Sequence, residues 1–235
     1  MTPRPSRSQS APVRPAPRVS AVVATYGAGD ALDYCLAGLL SDVGVDEVVV
    51  VDAGEASEVA SALRALAADR RDLRLVQTRT AMAKAAALNC GVDAARGRWV
   101  LIVDPSVVVQ PGAVERMLRA SRQAKSPAAI GGLVAGHGRE RSGGLLLGPR
   151  PASVLAGRLL LMARADLLDL GGFQGAPGVD VFTDLSRRIA AAGGDLLVQP
   201  NALGVPVAVR RARRGPRGPV ARLFSAVRRW FRWRS

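Results

Sequence analysis

Two aspartates stand where strand-forming runs stop. Asp52 follows Glu47 and four consecutive valines, and Asp104 follows Trp99-Val100-Leu101-Ile102-Val103. In sheets of parallel strands, ligands bind beyond the carboxyl ends of the strands, and a carboxylate there accepts bonds from a nucleobase imide or a sugar hydroxyl. A carboxylate directly after an apolar strand is costly unless it is used or solvated. Lys84 opens the segment Lys84-Ala85-Ala86-Ala87-Leu88-Asn89-Cys90-Gly91 and is one of two lysines in the chain. A lysine at a loop-to-helix junction supplies a mobile point charge for phosphate. Thr25 and Tyr26 close a third apolar run and stand as candidates beside this set, with Asn89. Each residue also has a plainer reading: a solvated loop aspartate, a solvated helix lysine, and for Asn89 a cap or structural amide.

The elements that must hold these residues are legible from periodicity. Apolar runs predict strands over 19–24, 47–52, 73–77 and 99–103, and helical patterns fill 31–40, 56–68 and 81–95. Strands alternating with helices call for an α/β fold with a mostly parallel central sheet between two helical layers. Right-handed crossovers then bring Thr25, Asp52, the loop after Gln77 and Asp104 to one sheet edge. The second half is less regular. A helix is expected from Pro111 to Ser121, strands over 128–135, 159–163 and 196–199, a short helix at 166–170, and a helix over 183–192 that ends at Gly193-Gly194.

These segments resemble family 2 glycosyltransferases of the GT-A fold, over roughly Val19 to Pro200. Ala21-Val22-Val23-Ala24-Thr25-Tyr26 is similar to the family's opening strand and turn, and Val48 to Gly54 to its Val-Val-Asp-Asp-Gly strand end. Lys84 to Gly91 resembles the family's Lys-Ala-x-Ala-Leu-Asn-x-Gly helix. Trp99 to Ser106 stands where the aspartate-x-aspartate signature belongs. Gly171-Gly172-Phe173 and Asp184-Leu185-Ser186-Arg187-Arg188 are similar to the Gly-Gly-Phe segment and the acceptor-side helix.

The resemblance implies a nucleotide-diphosphate-sugar donor, a divalent cation (Mn or Mg) held through Asp104, and an aspartate that deprotonates the acceptor hydroxyl for inverting transfer. Departures from the family pattern fall on this machinery. Ala53 replaces an acidic neighbour of Asp52, and Ser106 replaces the carboxylate that binds the metal, which weakens affinity for a hard cation. Val181 and Phe182 stand where the acidic pair belongs, leaving Asp180 and Asp184 as the catalytic candidates. Asp180 reads equally as a solvated loop carboxylate, and Asp184 as one favoured by a helix N-terminus. The lone His137 is away from the family's later metal-binding histidine, where this chain reads Leu203-Gly204-Val205-Pro206.

The formal charge of +14 comes from 33 basic against 19 acidic residues. Residues 1–18 and 210–235 contain four and ten arginines and no acid, so the excess lies in these two segments. Residues 1–18 are rich in Pro, Arg and Ser and read as a disordered tail rather than a signal peptide. In 206–235, Val220, Leu223, Phe224, Val227, Trp230 and Phe231 recur at helical spacing among arginines. That pattern is a basic amphipathic helix suited to an anionic membrane surface, with docking on the chain's own domain as the plainer reading. Nucleic acid, resting on charge alone, is the weaker reading. Two cysteines, Cys35 and Cys90, read as reduced thiols in a cytoplasmic setting. No run of about 18 uncharged apolar residues suggests a membrane span.

The expectation is therefore a GT-A-like domain over 19–205 between basic tails, transferring sugar to a small or lipid-linked acceptor. The alternative is a catalytically impaired relative that acts as a binding or accessory partner at a membrane surface.

Overall fold

The computed structural model describes residues 18–27, 30–54, 58–134, 149–155, 157–175 and 178–207. His137, the basic N-terminal segment before Arg18 and the amphipathic pattern around Trp230 lie outside them.

Among the described residues nine strands and six helices follow in chain order: β1 Val19–Thr25, α1 Asp30–Ser41, β2 Glu47–Asp52, α2 Glu58–Asp69, β3 Leu73–Gln77, α3 Lys84–Ala94, β4 Trp99–Val103, β5 Val107–Val109, α4 Ala113–Ser121, β6 Ala128–Val134, β7 Arg150–Pro151, β8 Leu159–Ala163, α5 Arg164–Asp169, α6 Val181–Ala191 and β9 Asp195–Pro206. The strands form one sheet in the order β3-β2-β1-β4-β8-β6-β9-β5, with β7 paired to β9. From β3 to β4 all pairings are parallel. β8 runs antiparallel to both β4 and β6, and β9 is parallel to β6 but antiparallel to β5.

Alternation along β1 explains why the sheet is covered on both sides. Ala21 and Val23 join the core that includes Leu32, Leu36 and Leu39 of α1, Leu63 of α2 and Met117 of α4. Val22 and Ala24 join the other core, with Leu88 and Val92 of α3, Leu167 of α5 and Phe182, Leu185 and Ile189 of α6. Successive strand residues point to opposite faces, so two apolar layers result from one continuous apolar run. Burying each such aliphatic side chain contributes about 1.5–3 kcal/mol.

The strands and helices expected between Val19 and Pro200 form, with differences that have local causes, and the helix expected around Trp230 lies outside the described residues. α3 begins at Lys84 rather than at 81, because the Met82 amide donates to Ala53 O at 3.1 Å and holds the approach extended across the end of β2. α6 begins two residues early because Asp180 caps it, accepting from the Phe182 and Thr183 amides. It stops at a left-handed Gly193, φ 74°, as the glycine pair predicts. The short β5 was not anticipated, and β9 reaches Pro206 rather than 199. Its register with β6 shifts between Gly132 and Leu133, an irregularity beside Pro200, whose missing N–H cannot serve a regular ladder.

Candidate donor and acceptor site

The parallel half of the sheet delivers the donor candidates. Thr25 pairs with Asp52, and Asp52 with Gln77, so three strands end level. Asp104 follows β4, beside β1. The edge predicted from crossovers is therefore present.

At this edge Asp52 is buried, and its Oδ1 has no hydrogen-bond partner among the described residues. The surrounding backbone is fully engaged: Ala53 N donates to Thr25 O at 2.8 Å, and Thr78 donates to Asp52 O through both its amide and its hydroxyl at 3.2 Å. Thr25 is buried and donates its hydroxyl to Gly27 O at 2.8 Å. Tyr26 stands half-exposed over the same turn, and partial burial raises its phenol above the ordinary value. A buried carboxylate oxygen without a donor is expensive, and a ligand N–H or O–H is what it lacks.

Asp104 has a different environment. Its Oδ1 accepts from the Ser106 amide at 2.9 Å and also from the Ser106 hydroxyl. Arg158, just before β8, donates from Nη2 to Ser106 Oγ at 2.8 Å and brings the same nitrogen to 4.0 Å from Asp104 Oδ1. The Asp104 amide donates to Arg158 O at 2.9 Å, so the two loops are also joined through the backbone. Arg158 was missed in the sequence because it lies 52 residues from Ser106 in a segment without helical or strand periodicity. The signal that could have found it is a lone arginine immediately before the apolar run Leu159–Met162.

Lys84 and Asp180 approach each other from α3 and the start of α6, Nζ to Oδ1 4.0 Å apart, and both side chains are exposed. Lys84 also sits 4.7 Å from the centroid of the Phe182 ring. Phe182 is buried edge-on to Phe173, with centroids 5.6 Å apart. A Cβ on Gly157 would fall within the Phe182 ring, so glycine there is required by close approach rather than by backbone torsion. At the position where the resemblance implies an acidic residue, Phe182 is part of the core.

The other two candidates are committed elsewhere. Asp184 Oδ2 accepts from Arg188 Nε at 2.8 Å, with Nη2 at the same distance from that oxygen, and Arg188 in turn donates to Leu170 O and Gly172 O. Asn89 bonds the Phe173 backbone through both ends of its amide. Sequence reasoning placed both residues near the chemistry, and the structure uses their polar atoms to fasten the Gly171-Gly172-Phe173 segment.

The sequence pattern described as "Glycosyl transferase family 2" matches residues 20–157, more than half of the chain. The chain belongs to family 2 of the glycosyltransferases. Over 118 residues it is 35% identical to the succinoglycan biosynthesis protein ExoO of Rhizobium meliloti (strain 1021), covering 50% of this chain and 33% of that protein. It therefore spans about a third of that curated relative. The mannosyltransferase PcManGT from Pyrobaculum calidifontis, solved with GDP-Man and Mn2+, is 23% identical with a TM-score of 0.64, over 84% of this chain and 59% of its own. GalNAc-T7, solved with UDP, GalNAc and Mn2+, is 14% identical with a TM-score of 0.70, over 91% and 48%. These likenesses establish the GT-A fold.

The metal-binding role expected of Asp104 in this family 2 domain meets a poor donor set. Among the described residues no three His, Cys, Asp or Glu side chains gather. One carboxylate oxygen of Asp104 is already occupied by Ser106, and the nearest charged neighbour is a guanidinium. Hard divalent cations bind through several oxygens, most of them charged, and a fixed cation beside the site opposes them. The residues present do not fit a divalent ion.

Proposed function

We propose that this family 2 domain transfers a sugar from a nucleoside diphosphate sugar to an acceptor hydroxyl, with inversion. The observation that carries this reading is the unpartnered, buried Asp52 Oδ1 at the same sheet edge as Asp104 and the start of α3. Asp52 would accept from the nucleobase or ribose, Tyr26 and Thr25 would shape the base-side turn, and Lys84 would meet the phosphates.

Asp180 is the group that would take the acceptor proton. Asp184 is ion-paired through Oδ2 with Arg188 and its side chain is only 25% exposed, whereas Asp180 is 55% exposed and keeps Oδ1 outside its capping bonds, beside Lys84. The acceptor oxygen would attack the anomeric carbon on the side opposite the diphosphate while its proton passes to Asp180. The bond from the anomeric carbon to the diphosphate oxygen breaks, and its electron pair leaves with the diphosphate. A carboxylate within hydrogen-bond reach of the acceptor contributes roughly 10²–10⁴-fold.

Among the described residues the acceptor side is bounded by the Gly171-Gly172-Phe173 segment and α6, and the acceptor proposed for it is small or lipid-linked. No helix among the described residues is long and apolar enough to cross a membrane; the basic amphipathic pattern around Trp230 is the proposed point of contact with a lipid-linked acceptor.

Ser106 and Phe182 favour a second reading, a domain that binds the donor without transferring it. Incubating the purified protein with a panel of nucleoside diphosphate sugars and small or prenyl-type acceptors, and measuring nucleoside diphosphate release, separates the two. Release that requires acceptor and falls with Asp180→Asn supports transfer. Donor binding without release for any acceptor supports the second reading.

A further inference from the structure

The replacement of a signature carboxylate by Ser106 and the position of Arg158 are one arrangement. We infer that the Arg158 guanidinium takes the place of a divalent cation and binds the donor diphosphate directly, so that donor binding here is independent of metal. The inference rests on the donor-site reading above and assigns the charge at that site to a side chain.

Arg158 Nη2 donates to Ser106 Oγ, and Ser106 in turn donates to Asp104. A carboxylate at position 106 would change this chain of donors into a cluster of acceptors. Serine instead links the arginine to Asp104 and fixes its direction. Asp104 lies 4.0 Å from Nη2, close enough to hold the guanidinium and too far for a short bidentate pair. The pairing is therefore incomplete, and Nε is buried with no partner among the described residues. A planar guanidinium has five N–H groups and binds phosphate oxygens in pairs. With one N–H group on Ser106, several remain for a diphosphate. Arg158 stays ionised at any working pH, so it needs no metal to be charged. Charge developing on the leaving diphosphate in the transition state meets a cation already positioned.

The position is held by more than one contact. The Asp104 amide bonds Arg158 O, the next residue, Leu159, is fully buried in β8, and the preceding Gly157 packs against Phe182. The bulky residue at 182 and the arginine at 158 therefore share one packing unit.

The test is calorimetric titration of the full chain with UDP, GDP and the corresponding nucleosides, in EDTA and in MnCl2. Arg158→Gln, Arg158→Lys and the double variant Ser106→Asp/Arg158→Gln are measured alongside, each checked by its thermal melt. The wild type is expected to bind one nucleoside diphosphate equally in EDTA and MnCl2, within about twofold. Arg158→Gln should lose about tenfold or more in diphosphate affinity, the scale of a charge-assisted pair, with nucleoside affinity unchanged. Arg158→Lys should recover part of the loss, and the double variant should bind diphosphate only with Mn2+. Wild-type binding that requires Mn2+, or Arg158→Gln binding diphosphate as well as wild type, overturns the inference and leaves the donor site standing. Absence of nucleotide binding under every condition overturns the donor site as well. Should Arg158→Gln fail to fold, the comparison of EDTA with MnCl2 on the wild type decides.

Discussion

Asn89 on α3 grips Phe173 by its backbone: Nδ2 donates to Phe173 O at 2.9 Å while Oδ1 accepts from Phe173 N at 2.8 Å. The pair joins residues 84 positions apart and fixes the Gly-Gly-Phe segment against the helix that starts at Lys84. Replacing Asn89 with Leu leaves two part-buried backbone groups unsatisfied, at about 1–3 kcal/mol each. Chemical denaturation of Asn89→Leu should show a lower midpoint than Asn89→Asp, which keeps the acceptor for Phe173 N.

Asp52 should respond with opposite signs in two measurements. Asp52→Asn removes a buried charge whose Oδ1 has no donor among the described residues, so thermal stability should hold or rise. Nucleoside affinity should drop about tenfold, the scale of one hydrogen bond to a charged group. A loss in both measurements would mark Asp52 as a folding residue.

Asp180 combines two roles that separate by substitution. Asparagine caps helices as well as aspartate does, so Asp180→Asn should keep the melting temperature while reducing transfer by about 10²-fold or more. Asp180→Ala should lose activity and also about 1 kcal/mol of stability. Rates measured beside melts distinguish the base from the cap.

Cys35 gives a pH dependence of known sign. Burial, with the charge of Asp104 second, pushes its thiol well above the ordinary value, so the folded state disfavours the thiolate. Stability from this group is complete below the free thiol's pKa of about 8.5 and declines as pH rises above it, by about 1.4 kcal/mol per pH unit. Denaturant midpoints at pH 8 and pH 10 should therefore diverge more for the wild type than for Cys35→Ala. In the native protein an alkylating reagent at pH 8 should label Cys90, which is partly exposed, and spare Cys35.

The terminal charge is testable on the full chain. Trp230 and Phe231 stand at helical spacing among arginines, a pattern that binds anionic bilayers through both apolar and basic groups. Changing both to Ala should weaken co-sedimentation with phosphatidylglycerol vesicles and leave nucleotide affinity unchanged.

What the sequence disclosed follows from how local its signals are. β2, β3, β4 and β8 matched their expected residues because each is an apolar run bounded by turn residues. Asp52 and Asp104 could be placed because a strand end is a sequence-adjacent feature. Arg158 could not, since its link to Ser106 depends on β8 lying beside β4, a pairing that no motif encodes. The same holds for Asp184 and Asn89. Their types suited the chemistry, but the partners that engage them, Arg188 and the Phe173 backbone, are set by packing. α3 starts at Lys84 rather than at 81 for a related reason: residues 81–83 have helical propensity, but the bond from Met82 N to Ala53 O overrides it.

The loop that holds Ser106 is closed from the far end of the domain. β5, directly after it, pairs with β9 through Val107–Pro206, and Val207 N donates to Ser106 O at 2.8 Å. About a hundred residues separate the halves of this clasp, and contacts of such separation form late because loop closure must precede them. During synthesis, the first four strands can therefore assemble while the Asp104–Ser106 turn still lacks its partner. The proposed donor site would then be closed only once residue 207 is in place, and a chain shortened before it would lack the strand that clasps the Asp104–Ser106 turn.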